Sequence, residues 1–438
     1  MHDVMNLPRV EFPRGFLWGS STSAYQIEGD CPNNDWERGA REGRWKEACG
    51  KACNHYALYK EDVELIRSLG HPAYRFSIEW SRVEPEEGRF DAAATEHYVD
   101  LCRRLAAAGI KPWVTLFHFT NPIWFADKGE WNKEENIGCF LRFVEHIVPK
   151  IAPYADGWAP INEYNFYSGA PNQPEDHRRL ANYAFNVLLA DAGAYDIIKA
   201  HSEKPCGSPM AYLTLQPFRP HDPFDQAMTD YADWVANGWY YHAMRTGELV
   251  YPFTDARYCP QVKGRADFWG VNMYARDLVD SRRKACRADG RYPHRALSLV
   301  QSAEKPWEFS PDELMANLCR LKDKPVYVTE NGLATDDDRF RIVYMALHLA
   351  AIRQAMDFGV DIRSYFHWSL FDNYEWGSFD PKYGLVGFDK KTFARLPKPS
   401  AWFYKDVIAA NGVSGELVRK HLSEVPSMPV ASQRQGQS

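Results

Sequence analysis

The sequence predicts a single-domain α/β fold, a (β/α)8 TIM barrel, on three observations. Eight apolar runs rich in β-branched and aromatic residues recur along the chain, amphipathic stretches separate them, and nearly every run ends in a polar or aromatic residue. Strand-like and helix-like segments alternate throughout.

In chain order the first four runs are FLWGSSTSA from Phe16, AYRFSIEW from Ala73, KPWVTLFHF from Lys111 and GWAPINE from Gly157. The second half supplies MAYLTLQ from Met210, FWGVNMYA from Phe268, PVYVTEN from Pro325 and IRSYFHWSL from Ile362. Runs that stay apolar, instead of alternating with polar residues, belong to strands buried on both faces, which favours a parallel sheet over a sandwich. Between them, EDVELIRSLG at 61 to 70 and HYVDLCRRLAAAG at 97 to 109 have helical periodicity, and each closes on a glycine of the helix-stop kind.

A doubly wound open sheet would alternate in the same way, so periodicity does not separate the two. Polar positions do. Arg75, His118, Asn162 with Glu163, Asn272 with Tyr274, Glu330 and Trp368 all fall toward the ends of candidate strands. In a closed barrel those ends converge on one face, where active sites of this fold lie.

Length alone would divide 438 residues among about three domains, yet single (β/α)8 barrels with insertions reach this size. No internal repeat or low-complexity linker interrupts the chain. Residues 1–424 are therefore expected to form one domain, and the Pro/Ser/Gln-rich segment 425–438 a disordered tail. The longest irregular insertion, SRRKACRADGRYPHR at 281 to 295, reads as a solvated loop.

Lys and Arg number 52 against 58 Asp and Glu, a net charge of −6, which argues against general affinity for nucleic acid or an anionic membrane. The N-terminal residues lack a basic region followed by an apolar one, and no apolar stretch is long enough to span a bilayer, so a cytoplasmic protein is expected. Nine scattered cysteines, an odd number, do not form a disulfide framework. Cys31, Cys49, Cys53 and His55 match no established zinc pattern, and no metal is expected.

Two short strings carry the chemistry. Trp-Ala-Pro-Ile-Asn-Glu at 158 to 163 and Pro-Val-Tyr-Val-Thr-Glu-Asn-Gly at 325 to 332 each bring an apolar run to a glutamate. A carboxylate where a buried strand meets a loop is held rigidly yet reaches a ligand, and a pair of them is what glycoside hydrolysis needs. Taken singly, Glu163 reads as a surface or capping carboxylate, and the Asn-Gly after Glu330 as an ordinary turn. Their joint occurrence reverses that reading, because the spacing leaves room for three βα units between strands four and seven.

Seven motifs then occur in order: FPRGFLWGSSTSAYQIEG at 12 to 29, YRFSIEWSR at 74 to 82, TLFHF at 115 to 119, INE at 161 to 163, GVNMY at 270 to 274, VTENG at 328 to 332 and HWSLFDNYEW at 367 to 376. With them the chain resembles glycoside hydrolase family 1 over roughly residues 10 to 408. The resemblance implies a (β/α)8 barrel, retention of anomeric configuration and no cofactor. Retention in turn requires carboxyl groups about 5 to 5.5 Å apart, so that one attacks the anomeric carbon while the other protonates the leaving oxygen.

Carried over by position, Glu163 matches the family's acid/base and Glu330 its nucleophile. Arg75 and Tyr274 match residues beside the nucleophile: a fixed cation keeps Glu330 ionised and a phenol donates to the same carboxylate. Gln26, His118, Asn162, Asn272, Glu375 and Trp376 match the family's glycone contacts, and Trp368 with Trp376 offers a flat apolar face to the sugar. Trp124 borders either the aglycone entrance or the loop core.

Glu375 bears on substrate. The branch of the family that cleaves 6-phosphorylated sugars usually has serine there, since a carboxylate repels phosphate. Lys382 and Tyr383 echo part of that branch's phosphate pattern. Two departures stand beside the acid/base: Pro160, which predicts a bulge at the end of strand four, and Tyr164, which stands where Pro is usual and precedes Asn165 at a commonly aromatic position bordering the aglycone.

The expectation is a cytoplasmic, exo-acting, retaining β-glycosidase, foremost a β-glucosidase with β-galactosidase or β-fucosidase side activity. Its substrates would be β-glucosides, cello-oligosaccharides or aryl glycosides, with no nucleic acid or membrane partner. The alternatives are a 6-phospho-β-glycosidase and a catalytically silent glycan-binding protein on the same fold.

Overall fold

The computed structural model describes residues 3–165, 177–282 and 310–426. The eight expected runs supply the eight barrel strands: β1 (Leu17–Ser21), β2 (Ala73–Ser77), β3 (Lys111–Phe117), β4 (Gly157–Ile161), β5 (Pro209–Ala211), β6 (Trp269–Asn272), β7 (Val326–Asn331) and β8 (Ile362–Trp368). Each begins within one residue of the position expected.

All neighbouring pairs run parallel, and the ladder follows the order β4-β3-β2-β1-β8-β7-β6-β5. The remaining seam, β4 against β5, carries no continuous ladder. It is closed by an isolated bridge between Trp158 and Cys206, by the Glu163 N–H donating to the Pro209 carbonyl at 2.7 Å, and by the Ile161 N–H donating to Ser208 Oγ at 3.1 Å.

Helices alternate with the strands as α1 (His55–Ser68), α2 (Ala92–Ala107), α3 (Ile137–Ile151), α4 (His177–His201), α5 (Trp239–Thr246), α6 (Pro311–Leu318), α7 (Asp338–Asp357) and α8 (Pro399–Ala410). The two helical patterns fall on α1 and α2, with α2 opened by Asp91, whose carboxylate accepts from the Ala94 N–H at 2.8 Å. Gly70 and Gly109 follow their ends at φ +74° and +77°, a left-handed turn that glycine adopts without strain.

The barrel interior is filled, as a closed parallel sheet requires. Trp113, Phe268, Tyr327 and Phe366 form an aromatic plug over Ala73, and Gly157 makes room for it, since a Cβ there would lie 2.4 Å from the Trp113 ring.

Two sequence expectations are corrected. MAYLTLQ is not one strand: the chain leaves the barrel after Ala211, and Thr214–Pro217 pairs instead with Arg276–Val279 in a separate parallel ribbon. Pro160 causes no bulge, because β4 keeps an unbroken register with β3, from Trp113 opposite Gly157 to Phe117 opposite Ile161. The proline tolerates this place because the sheet ladder is already interrupted on the other side of β4.

No helix among the described residues is long and apolar enough to cross a membrane, and none of their His, Cys, Asp and Glu clusters could hold a metal ion. The eight described cysteines are free thiols. Most of the basic insertion at 281 to 295 and of the tail from 425 lies outside the described residues.

Candidate active site

The expected site residues gather at the C-terminal face of the barrel, and hydrogen bonds join Arg75, His118, Asn162, Glu163, Asn272, Tyr274 and Glu330 into one network. Arg75 is central to it. Although it lies in the middle of β2, its long side chain reaches across the barrel: Nε donates to Thr115 Oγ1 at 3.1 Å, Nη1 to Glu330 Oε1 at 2.5 Å and Nη2 to Asn162 Oδ1 at 2.6 Å. The guanidinium is 1% exposed, so these fixed partners replace water.

From Asn162 the network continues to the other glutamate. Asn272 Nδ2 donates to Asn162 Oδ1 at 3.2 Å and to Glu163 Oε1 at 2.8 Å, while Asn272 Oδ1 accepts from Thr329 Oγ1 at 2.6 Å. One chain of contacts, Glu163 to Asn272 to Asn162 to Arg75 to Glu330, therefore holds both carboxyls. On the far side, the Tyr274 hydroxyl donates to Glu330 Oε2 at 2.5 Å.

Burial raises the pKa of both carboxyls, and their neighbours then separate them. On Glu330, the Arg75 cation and the Tyr274 and Arg75 hydrogen bonds pull back down. On Glu163, repulsion from Glu330 adds to burial, and the group is pushed up to about 8 despite the Asn272 bond and Arg75. Of the two, Glu163 is the carboxyl set to hold the proton, and Glu330, beside the Arg75 cation, the one set to carry the charge. Burial also pushes the Tyr274 phenol well above its ordinary range, so it stays a donor.

His118 is assigned its tautomer by the same network. With Asn162 Oδ1 taken by Arg75, its Nδ2 faces His118 Nε2 at 3.2 Å, which must accept. The proton therefore sits on Nδ1, a buried donor with no partner among the described residues. Burial and the Arg75 cation hold the ring neutral. The Trp368 and Trp376 rings lie nearly parallel to His118, at 5.9 and 6.0 Å between centroids.

Gln26 and Glu375 form the opposite polar edge. Gln26 Nε2 donates to Glu375 Oε2 at 2.9 Å and to Asn373 Oδ1 at 3.0 Å, and its Oε1 accepts from Ser23 Oγ at 2.6 Å. The Lys382 ammonium pairs with Asp336 at 2.6 Å, with both side chains largely exposed. Tyr383 is buried and packs with Trp368, Ala334 and Tyr274.

Three positions beside the site resolve against the sequence reading or between its alternatives. Asn165, expected at a position bordering the aglycone, is 2% exposed and turns into the protein, as does Tyr164 at 1%. Trp124 belongs to the loop core, with its indole N–H on the Glu84 carbonyl at 2.9 Å and its ring edge-on to Trp80 at 5.6 Å.

Sequence reasoning missed Thr115, Thr329, Asn373 and Ser23. All four lie inside or beside the motifs already quoted, so proximity to a motif was the signal. Asp191 and Ser208, buried behind Tyr164, carried no such signal because neither lies in a motif.

A family model described as glycosyl hydrolase family 1 matches residues 9–413. The chain is 28% identical to a beta-galactosidase of Sulfolobus acidocaldarius over 95% of this chain and 98% of that one. Among solved structures it superposes on a beta-glycosidase from Pyrococcus horikoshii with a TM-score of 0.86 and 33% identity, covering 94% of this chain and 98% of the other. It also superposes on a beta-glucosidase from Thermotoga maritima in complex with glucoimidazole, with a TM-score of 0.84 and 28% identity over 92% of this chain and all of that one (100%).

Proposed function

The chain belongs to glycosyl hydrolase family 1 and is a retaining β-glycosidase, and on that premise we propose that Glu330 is its nucleophile and Glu163 its acid/base. The observation that carries the assignment is the unequal setting of the two carboxyls: Glu330 between Arg75 and Tyr274, Glu163 with one neutral amide donor among the described residues. An ionised group attacks and a protonated one donates.

In the first step Glu330 attacks the anomeric carbon while Glu163 gives its proton to the leaving oxygen. The ester that forms removes the negative charge of Glu330, and with it the repulsion that adds to burial in keeping Glu163 protonated. Glu163 then takes a proton from water, which displaces Glu330 with retention. Arg75 and Tyr274 hold the nucleophile's orientation through both steps.

The glycone would be held by Gln26, Glu375, His118, Asn162 and Asn272, with Trp368 and Trp376 against its apolar face. A neutral His118 with a donor on Nδ1, facing a carboxylate and amides, suits a polyol whose hydroxyls both donate and accept. The carboxylate at Glu375 disfavours a 6-phosphate. The substrate class is therefore unphosphorylated β-glucosides, cello-oligosaccharides or aryl glycosides, cleaved one non-reducing sugar at a time, with β-galactoside and β-fucoside turnover at the same site. Buried free thiols suit a reducing compartment, and we place the enzyme in the cytoplasm.

Assay of aryl β-glucoside, β-galactoside and 6-phospho-β-glucoside tests this. Turnover of the first two and not the third is expected. Absence of turnover on all three, or a preference for the phosphorylated sugar, would overturn the substrate assignment.

A further inference from the structure

We propose that Asp191, acting through Tyr164 and Ser208, is a positioning residue for the carboxyl of Glu163. The inference rests on the reading of Glu163 as acid/base and adds a device that holds it.

Glu163 stands in an exposed mechanical position. It has φ +47°, a left-handed conformation that costs a side-chain-bearing residue energy and persists only where its surroundings impose it. It also follows β4 at the seam where the sheet ladder is interrupted and where Pro160 has no N–H to give. Backbone pairing here consists of the Asn162 and Glu163 N–H groups on the Phe117 and Pro209 carbonyls, with none from Pro160 and none from the Ile161 N–H.

Side chains supply the missing bonds, and they converge on one carboxylate. On one flank of Glu163, the Ile161 N–H donates to Ser208 Oγ, which in turn donates to Asp191 Oδ1 at 2.6 Å. On the other flank, the Tyr164 hydroxyl donates to Asp191 Oδ2 at 3.0 Å. Asp191 projects from α4 and is 1% exposed. Next along, Asn165 Nδ2 donates to the Ala211 and Ala236 carbonyls at 2.8 and 2.7 Å, which ties the same segment to β5 and to the helical turn before α5.

A buried carboxylate without an ion-pair partner is unfavourable unless its oxygens are satisfied, and no cation among the described residues pairs with Asp191. Its two oxygens are satisfied by the donors that brace residues 161 and 164. Losing either donor removes a brace beside the left-handed turn and leaves the bond of the Glu163 N–H to the Pro209 carbonyl to resist its relaxation; displacement of an acid/base by about 1 Å costs on the order of 100-fold in rate.

The test compares Asp191→Asn and Tyr164→Phe with Glu163→Ala on two aryl β-glucosides, one with a dinitrophenyl leaving group that departs without a proton and one with a phenyl group that needs it. For both positioning variants kcat/KM on the phenyl glucoside is expected to fall about tenfold or more, while the dinitrophenyl value stays within about threefold and azide raises its kcat. Equal losses on both substrates, or no loss on either, would overturn the proposal. Should Asp191→Asn fail to fold, Tyr164→Phe, which removes one oxygen, decides alone. Glu163→Ala separates the two levels: if it lacks the leaving-group dependence, the acid/base reading fails and the proposal with it; if it shows the dependence and the positioning variants do not, the proposal alone fails.

Discussion

Arg75 Nη1 donates to Glu330 Oε1 at 2.5 Å with both side chains buried, at 1% and 4% exposure. The same guanidinium holds Asn162 through Nη2, so one cation sets the charge of one glutamate and the scaffold of the other. Breaking a buried pair by removing one member leaves an uncompensated charge, at a cost of about 3–5 kcal/mol. Arg75→Met should therefore lower the denaturant midpoint markedly and reduce kcat/KM by at least about 100-fold, with the acid limb of the pH profile moved up. A variant of near-parental stability and activity would show that Arg75 does neither job.

The pH profile follows from the two carboxyls. Glu163 must be protonated, so kcat/KM on a phenyl glucoside is lost as pH rises through a value near 8; Glu330 must be ionised, so activity is lost again on the acid side. Glu163→Gln, assayed with a dinitrophenyl glucoside, should lack the alkaline limb. Its persistence would move that limb to another group.

Stability carries the same sign. The folded pKa of Glu163 is raised above the ordinary 4.5, so its contribution is complete below about pH 4.5 and is lost as pH rises through about 8. Urea unfolding of the parent and of Glu163→Gln across this range should show the parent losing ground to the variant as pH rises. A constant difference would contradict the raised pKa.

His118→Phe keeps ring packing beside Trp368 and Trp376 and deletes both the Nδ1–H and the Nε2 acceptor of Asn162. Loss of a buried hydrogen bond to substrate costs about 1–3 kcal/mol, or roughly 5- to 150-fold in kcat/KM. Among monodeoxy aryl glucosides, one should be cleaved equally by parent and variant, which identifies the hydroxyl that His118 meets. If every deoxy sugar keeps the full difference, His118 is structural.

Glu375→Ser removes a carboxylate from the glycone edge and leaves Gln26 Nε2 with Asn373 alone. Glucoside kcat/KM should fall by about 100-fold, and 6-phosphoglucoside should gain little because deleting one carboxylate supplies no new cation for the phosphate. Efficient cleavage of the phosphorylated sugar by this variant would show that Glu375 alone excludes it.

Most of the barrel was legible in the sequence because parallel strands are buried on both faces and stand out as continuous apolar runs. Where this failed, the cause was local. MAYLTLQ looked like one strand, but pattern alone does not reveal that the chain leaves the barrel after Ala211. Pro160 looked disruptive, since the sequence does not show that its strand borders an interrupted seam.

For the site, Glu163, Glu330 and their partners were legible through ordered motifs. Arg75, read as a strand-end residue, acts from mid-strand because its side chain is long. Asn165 pointed toward an aglycone by position and is instead buried beside Tyr164, which faces Asp191, a residue on α4 that only tertiary structure brings near.

The assignment of Glu330 as nucleophile and Glu163 as acid/base is tested most directly by azide rescue of Glu330→Gly and Glu163→Ala with a dinitrophenyl β-glucoside, reading the anomeric configuration of the glycosyl azide. Azide should replace the missing nucleophile in Glu330→Gly and give the inverted α-azide; in Glu163→Ala it should intercept the covalent intermediate and give the retained β-azide. The opposite pair of configurations would contradict the assignment.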